Sequence, residues 1–452
     1  MKLKLKTKMS MWQFLALCYI AIILLGSLLL ILPFATKGNQ STSYINALFT
    51  SVSATCVTGL VPYDTNTHWS IFGQIVIIFL IQTGGLGFMS IVSVLFILVG
   101  RNMGLYEKKS LMQSVGGMTL SGIRPLLRKI FIGTIIFEGI GAILLSIRFI
   151  PAFGFLKGCY YSVWHSISAF CNAGFDLMGG TFSDETFVSF TNYAKDPLVC
   201  LTLSSLIIIG GLGFCVWSDI HENKLHFRKY QLNTKIVIVV NAVLLTASTI
   251  LFLLFEKNGT IYDGFTMPQK WLASFFNATS PRTAGFNIVD LSNITNSSFI
   301  LSIILMFIGG SSGSTAGGIK VTTFAVIIMG MISVFRNRKD IEIGNKRVDY
   351  SLVNQALAIF AACLMTIALA ALAICAIEPA ASFKAVLFET VSAMGTVGLS
   401  LSLTPTLSVA SKLIIIVLMY AGRVGILTLA LALGESRKSN EIRKPVDTFL
   451  IG

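Results

Sequence analysis

Four short segments that end in glycine recur along this 452-residue chain at a nearly constant spacing. The glycines are Gly59, Gly174, Gly285 and Gly398, so successive copies are separated by 115, 111 and 113 residues. Each glycine follows a short amphipathic segment that ends in Ser-Ala or a near equivalent. A constant period between matching hydrophobic blocks is typical of a repeat architecture. The chain is therefore predicted to contain four versions of one structural unit.

Apolar runs of roughly 20 residues connect these segments, and this is the length that an α-helix needs to cross a bilayer. Of all residues, 54% are hydrophobic and only 12% are charged, which is too little charge for the surface of a soluble protein. No hydrophilic stretch is long enough for a separate globular domain. We therefore expect an all-α polytopic membrane protein. The run from Trp12 to Leu32 is too long for a signal peptide and is predicted to be the first membrane helix.

Each unit is predicted to contain a long helix, a short half-helix, a glycine loop and a second long helix. The units are expected at 1–100, 101–218, 219–335 and 336–452. The first long helices are expected at about 12–32, 130–150, 234–255 and 352–377, and the short segments at about 41–54, 157–170, 268–279 and 381–394. The second long helices are expected at about 70–99, 198–218, 299–331 and 409–433. Because the short segments cannot cross a bilayer, they are predicted to be re-entrant, which leaves eight full spans.

A second glycine motif also repeats, on the second long helices. Gly84-Gly85-Leu86-Gly87 recurs as Gly210-Gly211-Leu212-Gly213, and the later units have Gly309-Gly310 and Gly422-Arg423 at this place. Since each unit contains two spans, all four insert the same way up. This favours a pseudo-fourfold ring around a central pore over an inverted-repeat transporter.

Lysine and arginine are concentrated in the segments on one side of the predicted membrane. That side carries 23 Lys and Arg residues against nine Asp and Glu, whereas the side with the glycine loops carries about eight basic and nine acidic residues. The positive-inside rule therefore predicts cytoplasmic termini and an outer mouth at the glycine loops. This distribution explains the net charge of +14 without nucleic acid. A basic cytoplasmic face can also dock an acidic partner or anionic membrane lipid.

The glycine loops are predicted to form the selectivity filter of a cation pathway. Irregular backbone is tolerated at membrane depth only where it is buried in protein or faces water, and glycine allows successive carbonyls to point toward one axis and replace the water of an ion. The negative end of each short-helix dipole also favours a cation there. The candidate carbonyl donors are Val57, Thr58, Gly59, Asn172, Ala173, Gly174, Thr283, Ala284, Gly285, Thr396, Val397 and Gly398. Asp64 and Asp176 follow two of the loops and either enrich cations at the mouth or are ordinary loop charges.

A polar, glycine-dense stretch is predicted to break the 299–331 helix in mid-membrane. Small residues of this kind either allow close helix packing or form a mobile gating loop, and ten in succession exceed what packing needs. The candidate gating residues are Gly309, Gly310, Ser311, Ser312, Gly313, Ser314, Thr315, Ala316, Gly317 and Gly318.

Two arginines are predicted to lie close to the pathway. Arg423 is in the middle of the last apolar run. Because burying a charge in the membrane costs free energy, a residue of this kind is expected to have a function. It is expected either to set a barrier to cations below the filter and take part in gating, or to form an ion pair inside the bundle. Arg282 is next to the third filter segment. Its side chain is expected to turn away from the axis toward a neighbouring acid, although the sequence identifies no partner.

No motif for catalysis or for a resident cofactor is found. The cysteines and histidines lack metal-ligand spacing, and the 309–318 stretch lacks the Gly-Lys-Ser/Thr ending of a phosphate-binding loop. The chain is therefore predicted not to be an enzyme and to have no covalent cofactor.

The fourfold pattern, the single glycine in each filter segment, the break at 309–318 and Arg423 together resemble the Trk/Ktr/HKT superfamily of potassium transporters. Over nearly the whole chain the pattern is most similar to Ktr-type potassium uptake membrane subunits (KtrB-like). The resemblance implies K⁺ uptake across the plasma membrane, often stimulated by Na⁺, and usually a homodimer. It also implies regulation by a cytoplasmic ring of nucleotide-binding RCK/KTN-type subunits (KtrA-like). Glycine in all four filter segments is similar to the potassium-selective members. A strictly coupled K⁺/Na⁺ symporter stays open as the alternative.

Overall fold

The computed structural model describes residues 10–39, 41–87, 123–182, 184–224, 226–338, 341–343 and 346–433, and these residues are mostly helical. The helices are, in chain order, α1 (Met11–Leu30), α2 (Tyr44–Thr55), α3 (Thr65–His68), α4 (Ile71–Leu86), α5 (Ile123–Phe153), α6 (Phe155–Phe170), α7 (Pro197–Leu212), α8 (Phe214–Asn223), α9 (Leu232–Phe255), α10 (Met267–Thr279), α11 (Asn296–Phe307), α12 (Val321–Phe335), α13 (Tyr350–Ile377), α14 (Phe383–Gly395), α15 (Val409–Val424) and α16 (Ile426–Leu433). The strands β1 (Ile341–Ile343) and β2 (Lys346–Val348) form an antiparallel hairpin between α12 and α13. Single turns of 3₁₀-helix occur at Pro33–Ala35, Lys37–Asn39, Thr191–Tyr193, Phe227–Lys229, Leu291–Asn293 and Thr404–Thr406.

Helices are present where the first long helix and the short helix of each predicted unit are expected. The long helices are α1, α5, α9 and α13, and the short helices are α2, α6, α10 and α14. Helix-capping residues explain where the short helices begin. The Ser382 hydroxyl accepts a hydrogen bond from Ala385 N–H at the start of α14, and Thr266 and Gln269 form a capping box at the start of α10.

The second long helices expected at 198–218 and 409–433 are not continuous, so this part of the prediction is wrong. The helix of the second unit bends by 93° between α7 and α8, and that of the fourth unit breaks between α15 and α16. The breaks fall at Gly213 and Gly425, and α4 of the first unit ends at the equivalent Gly87. The φ angles of these glycines are 100°, 91° and 80° respectively, a conformation that a helix cannot contain and that glycine adopts readily.

In the third unit the second helix is interrupted over a longer stretch. Helix α11 ends at Phe307 and α12 begins at Val321. The break predicted from the 309–318 stretch is therefore confirmed as a feature of the backbone. The continuation of α4 beyond residue 87, the lysines before residue 10, most of the predicted basic loop at 101–129 and the tail after residue 433 lie outside the described residues.

The helices pack in a closed series. Each long helix packs against the short helix that follows it, as α1 does against α2 and α13 against α14. The second helix of each unit also contacts the short helix of the next unit: α4 contacts α6, α7 contacts α10, α11 contacts α14, and α15 contacts α2. The last contact, between α15 and α2, closes the series. The C-terminal ends of the short helices, and the loops that follow them, are therefore brought together in the interior.

The outer surface of the bundle is apolar. Large hydrophobic side chains such as Leu25, Ile143 and Leu369 on the long helices are more than 60% exposed, as expected for helices in contact with lipid tails. Four helices in the described part of the chain are long and apolar enough to cross a membrane, and a fifth span results if α7 and α8 are counted as one. The chain therefore has the surface of a multi-pass membrane protein.

The β-hairpin is a feature that the all-α prediction missed. Ile341 and Val348 pair across the two strands and pack with Val353 of α13 in a small buried cluster. The alternation Ile341-Glu342-Ile343, followed in the sequence by the dipeptide Gly-Asn, is the sequence signal for a hairpin.

Candidate functional site

The four loops that follow the short helices have the same backbone conformation at equivalent positions. Two residues before each glycine, a residue with a side chain has a positive φ: Val57 (57°), Asn172 (59°), Thr283 (73°) and Thr396 (51°). The glycines themselves have φ angles of 94° at Gly59, 69° at Gly174, 77° at Gly285 and 92° at Gly398. Left-handed φ angles are unfavourable for residues with a β-carbon and persist only where the surrounding structure fixes them.

The four glycines lie next to one another and form what we call the glycine ring (Gly59, Gly174, Gly285 and Gly398). A β-carbon on Gly174 would lie 2.7 Å from the carbonyl oxygen of Ala284 and 3.0 Å from Cα of Gly285. The other three glycines have the same relation to the next loop: Gly59 faces Ala173 O, Gly285 faces Val397 O, and Gly398 faces Thr58 O. The contacts run from the first loop to the fourth and back to the first, so the ring is closed and has no room for a side chain.

Backbone carbonyls from all four loops are therefore gathered at one place. The oxygens in contact with the ring belong to Thr58, Ala173, Ala284 and Val397, which directly precede the glycines. Carbonyl oxygens in such an arrangement are the ligands with which proteins replace the hydration shell of K⁺. The structure thus brings the last two residues of each predicted filter segment into contact with the next segment.

Buried serines hold the loops in place, and this role was not predicted from the sequence. The hydroxyls of Ser53 and Ser392 accept hydrogen bonds from the N–H groups of Gly59 and Gly398, each at 3.1 Å. The hydroxyls of Ser168 and Ser280 instead donate to the carbonyls of Phe175 and Phe286, each at 2.6 Å. Three of these serines precede their glycine by six residues and Ser280 by five. The recurrence of a serine five or six residues before each glycine is the sequence signal from which this role could have been predicted.

The side chains before the glycines differ between the loops. The side-chain amide of Asn172 and the hydroxyl of Thr283 are 3.2 Å apart and form a hydrogen bond between the second and third loops. The equivalent residues of the other two loops are Val57 and Thr396, both buried. The four glycine loops therefore share one backbone conformation but differ in their side chains.

Asp64, one of the two acids considered for the mouth, is bonded into the loops. It is 6% exposed. Its carboxylate accepts hydrogen bonds from the N–H groups of Asn66 (3.0 Å), Thr67 (2.9 Å) and Phe187 (3.0 Å). These bonds tie the loop after the first glycine to the long loop after the second. Asp176 accepts a hydrogen bond from Met178 N–H at 3.0 Å.

The 309–318 stretch forms a loop with a narrow neck. The N–H of Gly309 donates to Ile319 O at 2.9 Å, and Val321 N–H donates to Gly310 O at 3.0 Å. These two bonds hold the ends of the loop together between α11 and α12.

The remainder of the loop packs between helix α7 and the fourth glycine loop. Ser311 N–H donates to Gly211 O at 3.0 Å at the C-terminal end of α7, and Phe214 N–H donates to Gly313 O at 2.8 Å. On its other side, a β-carbon on Gly318 would lie 3.0 Å from Gly395 O, and one on Gly317 would collide with the Thr396 hydroxyl. The loop is therefore in direct contact with a loop of the glycine ring.

Arg423 is held by backbone carbonyls. Its guanidinium donates to Thr315 O in the 309–318 loop and to the carbonyls of Gly84 and Gly85 at the end of α4, the last at 3.2 Å. In the described part of the chain it has no acidic partner, so the ion pair considered as an alternative is not observed there. The adjacent carbonyl of Ala316 accepts a hydrogen bond from Lys320 Nζ at 2.8 Å. Two cationic side chains thus bind successive carbonyls of one loop.

Arg282 also binds a carbonyl, and the expectation of a neighbouring acid is wrong for the described residues. Its Nη2 donates to Gly309 O at 3.3 Å, and no ion pair involving it is found among the ranges that the structure describes. The reason is local: the guanidinium is buried against the neck of the 309–318 loop, where backbone oxygens are the available acceptors.

The second glycine motif packs the helices onto the loops. β-carbons on Gly84, Gly210 and Gly422 would collide with the carbonyl oxygens of Thr55, Phe170 and Met394 respectively. These carbonyls all lie four residues before a glycine of the ring. Gly309, the predicted third copy, instead faces Gly317 O, because its helix has already ended.

Comparison with known proteins identifies the family. Residues 18–442 match the family model TrkH, described as a cation transport protein. The chain is 37% identical to the potassium/sodium uptake protein NtpJ of Enterococcus hirae, over 100% of this chain and 99% of that protein. It is 39% identical to the Ktr system potassium uptake protein B of Bacillus subtilis, over 96% of this chain and 95% of that protein.

A solved structure has the same fold. The crystal structure of the potassium transporter TrkH from Vibrio parahaemolyticus superimposes with a TM-score of 0.74, covering 96% of this chain and 86% of that one at 19% sequence identity. The family resemblance seen in the sequence is confirmed. The chain therefore belongs to the TrkH family of cation transport proteins, which are membrane transporters and not enzymes.

Proposed function

We propose that this chain is the potassium-selective, ion-translocating subunit of a K⁺ uptake system in the plasma membrane. The observation that carries the proposal is the closed glycine ring, in which each glycine abuts the carbonyl preceding the next glycine. The names of the potassium uptake relatives support K⁺ as the cargo. Uptake is driven by the membrane potential, which favours entry of one positive charge by about 2.3 kcal/mol per 100 mV.

The fold is proposed to consist of four pseudo-symmetric repeats, 1–100, 101–218, 219–335 and 336–452, around a central pore. The cyclic contacts between the second helix of one unit and the short helix of the next support this arrangement. In this proposal α1, α5, α9 and α13 are the first spans, and the second spans begin with α4, α7, α11 and α15. That makes eight spans with both termini in the cytoplasm.

The selectivity filter is proposed to be formed by the backbone carbonyls of residues 57–59, 172–174, 283–285 and 396–398. The repeated left-handed residue and the repeated positive-φ glycine support equal roles for the four segments. Since the side chains at these positions differ, the shared backbone is the part that coordinates the ion.

Residues 309–318 and Arg423 are proposed to form the gate. The loop contacts the fourth glycine loop at Gly395 and Thr396, and Arg423 holds its Thr315 carbonyl. Opening then requires the Arg423 hydrogen bond to be replaced as the loop moves aside. A fixed positive charge at Arg423 also raises a barrier to cations when the loop is in place.

The proposed assembly is a homodimer in the lipid bilayer with a cytoplasmic ring of nucleotide-binding RCK/KTN-type subunits. The family resemblance and the basic cytoplasmic segments support a regulatory partner on that side. Stimulation by Na⁺ is supported by the name of the potassium/sodium uptake relative.

The second candidate is a strictly coupled K⁺/Na⁺ symporter, in which the 309–318 loop is an occluding gate rather than a channel gate. The direct contact of this loop with the fourth glycine loop is the observation that favours it. Purified protein in liposomes separates the two candidates. We expect K⁺ uptake driven by an imposed negative interior potential, at a K⁺-to-Na⁺ flux ratio that varies with the ion gradients. A fixed ratio under all gradients would establish the symporter instead.

A further inference from the structure

Arg282 is a buried cation in the third glycine loop without a described acidic partner. It is 7% exposed and lies directly before Thr283, the left-handed residue of this loop. Its Nη2 donates to Gly309 O at 3.3 Å. Desolvation makes a buried charge without a counterion expensive, so a residue of this kind needs an explanation beyond packing.

The acceptor of Arg282 is at the neck of the 309–318 loop and not at its tip. Gly309 uses its N–H to bond Ile319 O at 2.9 Å and its carbonyl to bond Arg282. The neighbouring residues Ile308 and Ile319 also form an isolated parallel bridge. Gly309 is therefore fixed on both sides, by the returning strand of the loop and by the third glycine loop.

The tip of the loop is held by different residues. Arg423 bonds Thr315 O and Lys320 bonds Ala316 O. The two arginines thus bind the neck and the tip of one loop, but only Arg282 directly precedes a filter segment.

A small cavity adjoins Arg282 and the neck of the loop. A cavity of about 10 Å³, which is room for about one water molecule, is lined by Asn241, Thr279, Arg282 and Gly310. The third glycine loop is also linked to the second through the Asn172–Thr283 hydrogen bond. A displacement of Arg282 would therefore move two of the four glycine loops.

We propose that Arg282 is a positioning residue that couples the 309–318 loop to the glycine ring, so that the conformation of the loop changes ion selectivity as well as flux. This inference rests on the proposed function, because it presupposes that the ring selects and the loop gates. Its distinctive consequence is that the effect of Arg282 on selectivity depends on the presence of the loop.

A double-mutant cycle in proteoliposomes tests the coupling. The K⁺/Na⁺ permeability ratio is measured for Arg282→Gln in the full chain and in a variant that lacks residues 311–317, each normalised to monodisperse protein. We expect Arg282→Gln to lower the ratio about threefold or more in the full chain and less than about 1.5-fold in the deletion background, since coupled residues are non-additive. Arg148→Gln is the matched control, because Arg148 is a half-exposed arginine paired with Asp196 at 2.8 Å.

Arg282→Lys keeps the test decisive if the glutamine variant does not fold. It retains the charge but loses the planar donor fork, and we expect it to lower the ratio about twofold in the full chain and not measurably in the deletion background. Equal effects in both backgrounds, or no effect in either, would overturn the coupling while the proposed function stands. A ratio near one for the unsubstituted chain would overturn the proposed function and the coupling with it.

Discussion

Arg423 in α15 donates a hydrogen bond to the carbonyl oxygen of Thr315, so helix α15 holds the loop that separates α11 from α12. The same guanidinium binds the carbonyls of Gly84 and Gly85 in α4. Three separate segments of the chain therefore meet at one side chain. A hydrogen bond to a charged group contributes about 1.5–3 kcal/mol, which is enough to fix the loop in one position.

Replacing Arg423 by alanine is expected to raise K⁺ flux. The variant loses both the hydrogen bond to the loop and the positive charge that opposes cations, and we expect an increase of about tenfold, which corresponds to 1.4 kcal/mol. Deletion of residues 311–317 is expected to act in the same direction. Flux into proteoliposomes is the measurement, and Arg148→Ala serves as a control away from the loop. A fall in flux with intact folding would reverse the assignment of this loop as a barrier.

Replacing Gly210 by alanine is expected to destabilise the protein. The new β-carbon would collide with Phe170 O at the end of the second short helix, and overpacking of this kind costs about 1–3 kcal/mol. Gly139→Ala is the matched control, because nothing lies within 4 Å of its β-carbon and alanine is favoured in a helix by roughly 0.5–1 kcal/mol. Thermal unfolding in detergent should show a lower midpoint for the Gly210 variant alone. Equal midpoints for both variants would mean that this contact is not tight.

Replacing Ser392 by alanine is expected to lower K⁺ selectivity more than stability. The Gly398 N–H loses its acceptor at 3.1 Å, and an unsatisfied buried N–H costs about 1–3 kcal/mol, which the loop can relieve by changing its backbone. The K⁺/Na⁺ permeability ratio should therefore fall. Ser205→Ala is the control, because Ser205 is an exposed serine on α7. A ratio unchanged by Ser392→Ala would show that this bond does not set the loop conformation.

The parts of the fold that follow from periodicity were predictable. Long apolar runs gave α1, α5, α9 and α13, and the constant spacing of Gly59, Gly174, Gly285 and Gly398 identified four loops that the structure places in contact. These features can be predicted from a single sequence because the length of an apolar run and the position of a glycine are properties of the chain itself.

The breaks in the second helices could not be placed in the same way. Gly87, Gly213 and Gly425 end or break helices, yet glycine is frequent inside membrane helices and its presence alone does not separate a break from a close contact. Only the polar run at 309–318 was long enough to predict an interruption.

The hydrogen-bond partners of the two arginines could not be predicted from the sequence either. Arg282 and Arg423 bind backbone carbonyls, and every residue has a carbonyl, so no side-chain pattern identifies the acceptor. A role near the glycine loops was predicted for Arg282 from its place next to Thr283 and for Arg423 from the cost of burying a charge, whereas their contacts depend on how distant segments pack.

The most direct test of the central claim is the K⁺/Na⁺ permeability ratio of Gly59→Ser compared with the unsubstituted chain under bi-ionic conditions. A β-carbon at residue 59 would collide with Ala173 O and lie 3.1 Å from Cα of Gly174, in a backbone with φ of 94°. It therefore deforms the carbonyl ring itself. If the glycine ring is the filter, the unsubstituted chain strongly prefers K⁺ and the variant loses about tenfold or more of that preference, in line with a strain of 1.4 kcal/mol or more. An unchanged ratio in folded Gly59→Ser protein would contradict the assignment of the ring as the filter.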